Sequence, residues 1–176
     1  MIKHKTMKTL KIICAVVIVA FIAVVILKRS NAPTGESKIC EVSESTCDSL
    51  LTGIIDKYKG SVVLVDMWNT WCAPCRQAMG IMDLGIKADL MSKGVKFIYI
   101  ADESSPEDDW RDAVADICGD HYRLLGGQIT PFVTKFEIKT IPTYLVIGTD
   151  GKIAEIIRGF KTSELSDALN AVLEKR

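Results

Sequence analysis

Apolar residues follow two rhythms along this chain. Val62 to Val65, Phe97 to Ala101 and Tyr144 to Ile147 are short unbroken runs bounded by polar or turn residues, the signature of buried strands. They predict strands over Ser61–Trp68, Val95–Ala101 and Thr143–Ile147, the last closing a hairpin with Lys152–Arg158 around Asp150-Gly151. Elsewhere the spacing is helical. Leu165, Leu169 and Leu173 share one face of a final helix that starts near Thr162 or Ser163. Further helices are expected over Ser49–Tyr58, from Cys72 to about Lys93, over Asp108–Ile117, and from Thr130-Pro131 as N-cap and first position through Phe136. His121 to Leu125 reads as short and extended. A helix between the first two strands makes a β-α-β unit with parallel strands and a right-handed crossover, so the fold class is α/β.

The amino end has a third pattern. Ile12 to Leu27 contains no charge, Lys3, Lys5, Lys8 and Lys11 precede it, and Lys28 and Arg29 follow. That length is at the short end of a membrane span. Pro33 after Ser30-Asn31-Ala32 disfavours signal cleavage, so the expectation is an uncleaved signal anchor. The excess of lysines before the span puts the N-terminus in the cytoplasm and the remainder outside the inner membrane, on the periplasmic side. The domains expected are residues 1–29 as cytoplasmic tip and transmembrane anchor, 30–46 as linker, and 47–176 as one globular domain. Of 22 Lys/Arg and 22 Asp/Glu, the first 29 residues hold six basic and no acidic, leaving the rest at net −6. Basic residues cluster only around the span, which excludes a nucleic-acid surface.

Candidate chemistry lies where the first strand ends, in Asp66-Met67-Trp68-Asn69-Thr70-Trp71-Cys72-Ala73-Pro74-Cys75. A thiol opening a helix faces unpaired N–H groups and the positive end of the helix dipole, which favours thiolate. Cys72 is therefore the expected nucleophile and Cys75 the resolving thiol, close enough to form a redox-active disulfide. Pro74 suits the first turn, where its missing N–H is not needed. A rival reading joins this pair to Cys118 and His121 as a Cys3His zinc set. The setting argues against it, since zinc knuckles sit on polar turns and this pair follows a strand and two tryptophans.

These residues, with Ile141-Pro142-Thr143 before the strand at Tyr144 and with Gly159-Phe160 before the last helix, resemble the thioredoxin superfamily, and within it the membrane-tethered TlpA/ResA-like branch. The resemblance covers roughly Leu50 to the C-terminus. It implies a thioredoxin fold, a central mixed sheet flanked by helices, with the stretch from Asp102 to Lys139 as an insertion between the central strands. It makes Asp66 the buried acid that exchanges the Cys75 proton, and the Ile141–Pro142 bond cis. Trp71, Ala73, Pro74, Ile141 and Pro142 become the surface that meets substrate, Pro142 leaving a backbone edge free for an extended peptide.

The activity implied is thiol–disulfide oxidoreduction by a Cys72/Cys75 cycle, leaning towards reduction, because Ala73-Pro74 places no charge between the cysteines. No cofactor or metal is required. The partners are disulfide-containing proteins, among which cytochrome apoproteins would fit, and a transmembrane electron donor. A metallochaperone holding copper or zinc through Cys72 and Cys75, with His121, is the alternative. Cys40 and Cys47 are spaced for a structural disulfide or a second redox couple, and Cys118 is a semi-buried thiol.

Overall fold

The structure, a computed structural model, describes the backbone of residues 13–23, 33, 35–42 and 47–175, and side chains there except at 47–51. The chain divides into two compact units, Met1–Ala32 and Pro33–Arg176. In the first, residues 13–23 are helical. The expected span from Ile12 to Leu27 lies partly outside the described residues, among which no helix is long and apolar enough to cross a membrane.

The second unit runs β1 (Ser37–Ile39), α1 (Cys47–Lys57), β2 (Val63–Met67), α2 (Ala73–Leu84), α3 (Lys87–Ser92), β3 (Lys96–Asp102), α4 (Glu107–Val114), β4 (Gly119–Leu124), α5 (Gly126–Lys135), β5 (Thr143–Ile147), β6 (Ile153–Arg158) and α6 (Thr162–Leu173). Its six strands form one sheet in the order β1-β4-β3-β2-β5-β6. The first four are mutually parallel, and β5 and β6 are antiparallel to their neighbours. This is the mixed thioredoxin sheet, with α4, β4 and α5 forming the stretch between β3 and β5.

Side chains alternate across the sheet, so each central strand feeds two cores. Leu64, Trp68, Tyr99 and Tyr144 pack with Cys75, Met79 and Met82 of α2, Trp110 of α4, and Leu165 and Leu169 of α6. On the other face Val63, Val65, Ile98, Ile100 and Leu145 pack with Ile54 of α1 and Phe132 of α5. Both faces of β2 are covered, which is why its sequence reads as a continuous apolar run rather than an alternating one.

Three elements depart from the sequence expectation. Residues 37–39, expected in the linker, pair with β4 as an edge strand, Ile39 opposite His121; three residues are too short to carry a periodicity. The helix expected from Cys72 to Lys93 breaks at Gly85, where the N–H groups of Gly85 and Ile86 both turn back to Met82 O, and the restart buries Lys87 and Leu90. Helix α5 begins at Gly126, ahead of the Thr130-Pro131 signal, because Gln128 Oε1 accepts the Leu125 N–H at 2.9 Å and caps it there. Gly119 opens β4 at φ +139°, where a Cβ would stand 2.8 Å from both Phe97 O and the Tyr99 ring.

Candidate active site

The segment between β2 and α2 is fixed from below. Asn69 Oδ1 accepts the Asp102 N–H at 3.0 Å and the Ser105 hydroxyl at 2.9 Å, and Ser105 Oγ accepts the Thr70 N–H at 3.0 Å. Arg123 on β4 donates to Ser105 O at 3.0 Å, and the Cys72 N–H returns to Asn69 O at 2.9 Å. The turn that presents Cys72 is thus held by the loop after β3. Neither Asn69 nor Ser105 was singled out from sequence. Their polarity looked like ordinary loop composition, and only their burial distinguishes them.

Cys72 and Cys75 are joined by a disulfide, with Cα atoms 5.3 Å apart. Cys72 Sγ also caps α2, accepting the Cys75 N–H at 3.3 Å, and Pro74 occupies the first turn. Cys72 retains 4% exposure and Cys75 none, so Cys72 offers the sulfur that a partner can approach. Ala73 and Pro74 are exposed beside it. Trp71 is 60% exposed and its indole Nε1 donates to Ser104 Oγ at 2.9 Å.

The Ile141–Pro142 peptide bond is cis, as the resemblance implies. The Gly159 N–H donates to Pro142 O at 2.9 Å, tying that loop to the end of β6. Trp71 and Ile141 line a groove of about 390 Å³ that continues over Ile129 and Val133 of α5, with Asp102 and Lys139 among its polar lining.

Asp66 is buried on the sheet face that carries α2, and neither carboxylate oxygen has a hydrogen-bond partner. Burial pushes its pKa up to about 8, against a weaker downward pull from Lys87. Its register partners are Tyr144 on β5 and Tyr99 on β3, and the next residue across from Tyr99 is His121 on β4. One row of the sheet beneath α2 therefore reads Tyr144, Asp66, Tyr99, His121. The His121 ring stacks on Tyr99 with centroids 4.8 Å apart, and its Nε2 donates to Ile117 O at 2.8 Å. Burial pushes its pKa down to about 4, so it is neutral near pH 7.

His121 is consequently a buried packing residue, turned to a backbone carbonyl rather than to the cysteines. Cys118 donates to Gly35 O at 2.9 Å. Among the described residues no three His, Cys, Asp or Glu are grouped to hold a metal ion. Cys40 is a free thiol that accepts a hydrogen bond from Lys57 Nζ at 3.2 Å, so the bridge expected to Cys47 is absent at its Cys40 end; the Cys47 side chain lies outside the described residues. The same Lys57 ammonium reaches Asp120 Oδ2 at 3.0 Å and Tyr122 Oη at 3.1 Å.

A disulfide at the head of a helix, a buried carboxyl behind it and a cis-proline loop on the same parallel-antiparallel sheet together define a thioredoxin-fold dithiol–disulfide protein. Residues 60–153 match the family model described as thioredoxin-like, and the chain belongs to that family. The thiol-disulfide oxidoreductase ResA of Bacillus thuringiensis subsp. konkukian is 30% identical over 115 residues, covering 61% of this chain and 60% of that protein. ResA of Oceanobacillus iheyensis is 23% identical over 177 residues, covering 91% of this chain and 87% of the relative. The chain therefore spans about 60% of the length of the Bacillus relative it matches. A secreted thiol-disulfide isomerase from Corynebacterium glutamicum superposes with a TM-score of 0.58 at 17% identity, covering 68% of this chain and 75% of that one, a likeness of fold.

Proposed function

We propose that this protein is a membrane-tethered thiol–disulfide oxidoreductase that reduces disulfides of client proteins on the extracytoplasmic side. The observation that carries the reading is the Cys72–Cys75 disulfide at the N-terminus of α2, its more accessible sulfur beside Trp71 and the cis-proline loop. Relatives named as thiol-disulfide oxidoreductases support the same chemistry.

In the reduced enzyme Cys72 thiolate, favoured by the helix dipole, attacks one sulfur of a client disulfide and expels the other as thiolate. Asp66 carboxylate accepts the Cys75 proton, and Cys75 thiolate attacks Cys72 Sγ. The enzyme disulfide forms, the client's second thiolate leaves, and two electrons have moved to the client. A dithiol donor restores the enzyme by the reverse sequence, with Asp66 returning the proton. A carboxyl with a pKa of about 8 suits both directions near neutral pH. Ala73-Pro74 adds no charge that would stabilise the Cys72 thiolate further, which favours a reducing couple.

Tethering is supported by residues 13–23, whose side chains are all exposed although Val16, Val17, Ile18, Val19 and Phe21 are among them. On that side of the membrane the donor has to carry electrons across the bilayer. The test of function is reduction of insulin disulfides by the full chain with dithiothreitol as donor, abolished by Cys72→Ala. Equilibration with glutathione is expected to place the couple nearer about −270 mV than about −120 mV. A value at the oxidising end reverses the direction of flow. Retention in membranes through carbonate washing tests the tether, and a soluble form starting near Ala32 removes it.

A further inference from the structure

Lys87 is fully buried, with no exposure at all, an uncommon place for a lysine. Its Nζ lies 2.9 Å from Asp83 Oδ1 one helical turn back, across the break at Gly85, and 5.2 Å and 5.5 Å from the ring centroids of Tyr99 and Phe97. The Asp83 side chain is 32% exposed, so it would meet a lysine equally well at the surface. An exposed i,i+4 pair adds little to stability, whereas taking an ammonium out of water carries a far larger cost. The pair with Asp83 alone does not account for the burial. The ring under the ammonium belongs to Tyr99, the cross-strand partner of Asp66.

We infer that Lys87 is a positioning residue for the redox centre, a counter-ion shared between the surface carboxylate of Asp83 and the buried carboxylate of Asp66. The inference rests on the oxidoreductase reading above, in which Asp66 must be able to ionise. The groups set against Asp66 are Tyr99 from β3 and Tyr144 from β5 by register and Lys87 from α3 by its charge, with Cys75 of α2 in the core on the same sheet face, Asp83 of α2 acting on Tyr99 and His121 of β4 beyond Tyr99. His121 is neutral and the two tyrosines stay protonated, because burial raises both phenols. Lys87 is therefore the one cation of this set. With Asp66 protonated, Lys87 and Asp83 form a neutral pair. When Asp66 is ionised, ready to accept the Cys75 proton, the same ammonium offsets its charge. Its pull on Asp66 is downward, opposing the larger effect of burial.

The two partners of Lys87 make the idea sharp, because removing them acts in opposite directions. In the full chain, Lys87→Met keeps the length and apolar stem while deleting the charge. Asp83→Asn leaves the whole ammonium to Asp66. The pH midpoint for the rate at which Cys75 resolves a mixed disulfide should rise by about one pH unit in Lys87→Met, and fall in Asp83→Asn. A structural role for either residue would change the rate without moving midpoints apart. Midpoints that stay put, or that move in the same direction, overturn the inference. If Lys87→Met does not fold, the downward shift in Asp83→Asn decides alone. Asp66→Asn separates the two levels of argument: if the pH step survives in that variant, it is the acid–base role of Asp66 that fails.

Discussion

Ser105 Oγ donates to Asn69 Oδ1 at 2.9 Å, and both side chains are buried. The bond joins the loop after β3 to the turn that presents Cys72, and Asn69 simultaneously accepts the Asp102 N–H. Truncation at Asn69 leaves a buried hydroxyl and a partly buried N–H without an acceptor, at about 1–3 kcal/mol. Asn69→Ala is expected to lower the urea midpoint accordingly. It should also slow client reduction by more than Ser104→Ala, which releases the exposed indole of Trp71 and one exposed bond to the Asp102 carboxylate. Equal rates in the two variants would show that the turn is held by its backbone alone.

Asp66 gives a stability prediction with a definite sign. Its pKa rises from 3.8 when unfolded to about 8 when folded, so the folded state holds the proton more tightly. Stability from this group is fully present below about pH 4 and is lost as pH rises towards 8, at up to about 1.4 kcal/mol per pH unit. Asp66→Asn should accordingly stabilise the protein by on the order of 2–4 kcal/mol at pH 7, and by little at pH 4. Chemical denaturation at the two pH values checks this. Equal effects at both would mean that the carboxyl is ionised in the fold at either pH.

His121 tilts stability the other way. Its pKa falls from 6.5 to about 4 on folding, so its contribution is present above pH 6.5 and is lost as pH drops towards 4. Between those limits it opposes the gain from Asp66. Stability of the wild-type chain should therefore vary little there. In His121→Phe, which keeps a ring against Tyr99, stability should climb steadily as pH falls from 6.5 to 4. Thermal melts across that range decide it, and a flat profile in the variant would rule out titration of His121 as the opposing effect.

What could be read from the sequence was whatever depends on local pattern. The run Val62 to Val65, the helix opening at Cys72 and the turn at Asp150-Gly151, where Gly151 has φ +77°, carry their structure in neighbouring residues. The disulfide pair and the cis bond at Pro142 followed from motif spacing plus family resemblance. Lys87 did not, because a lysine four residues after Asp83 looks like a surface ion pair until the break at Gly85 turns it inward. The row Tyr144, Asp66, Tyr99, His121 was equally hidden. Its members are far apart in sequence and meet only through strand register. Edge strand β1 depends on the same long-range pairing, since Ser37–Ile39 gains its hydrogen bonds from β4.

The groove beside the disulfide predicts how clients are chosen. Trp71, which directly precedes Cys72, and Ile141, which directly precedes the cis-proline, line it together with Ile129 and Val133 of α5. A client with a large apolar side chain near its reactive cysteine can bury that side chain there while its backbone runs along the Pro142 loop. Burying such a side chain contributes about 1.5–3 kcal/mol, enough to change affinity by tenfold or more. A small aromatic disulfide reagent needs only the sulfur. Val133→Asp should therefore raise the KM for a protein client by about tenfold and leave reduction of the small reagent nearly unchanged. Trp71→Ala should weaken both, because Trp71 lines the groove and directly precedes the reacting cysteine. If Val133→Asp slows the two substrates equally, the groove is not the client surface and recognition falls to the cysteine turn and the proline loop alone.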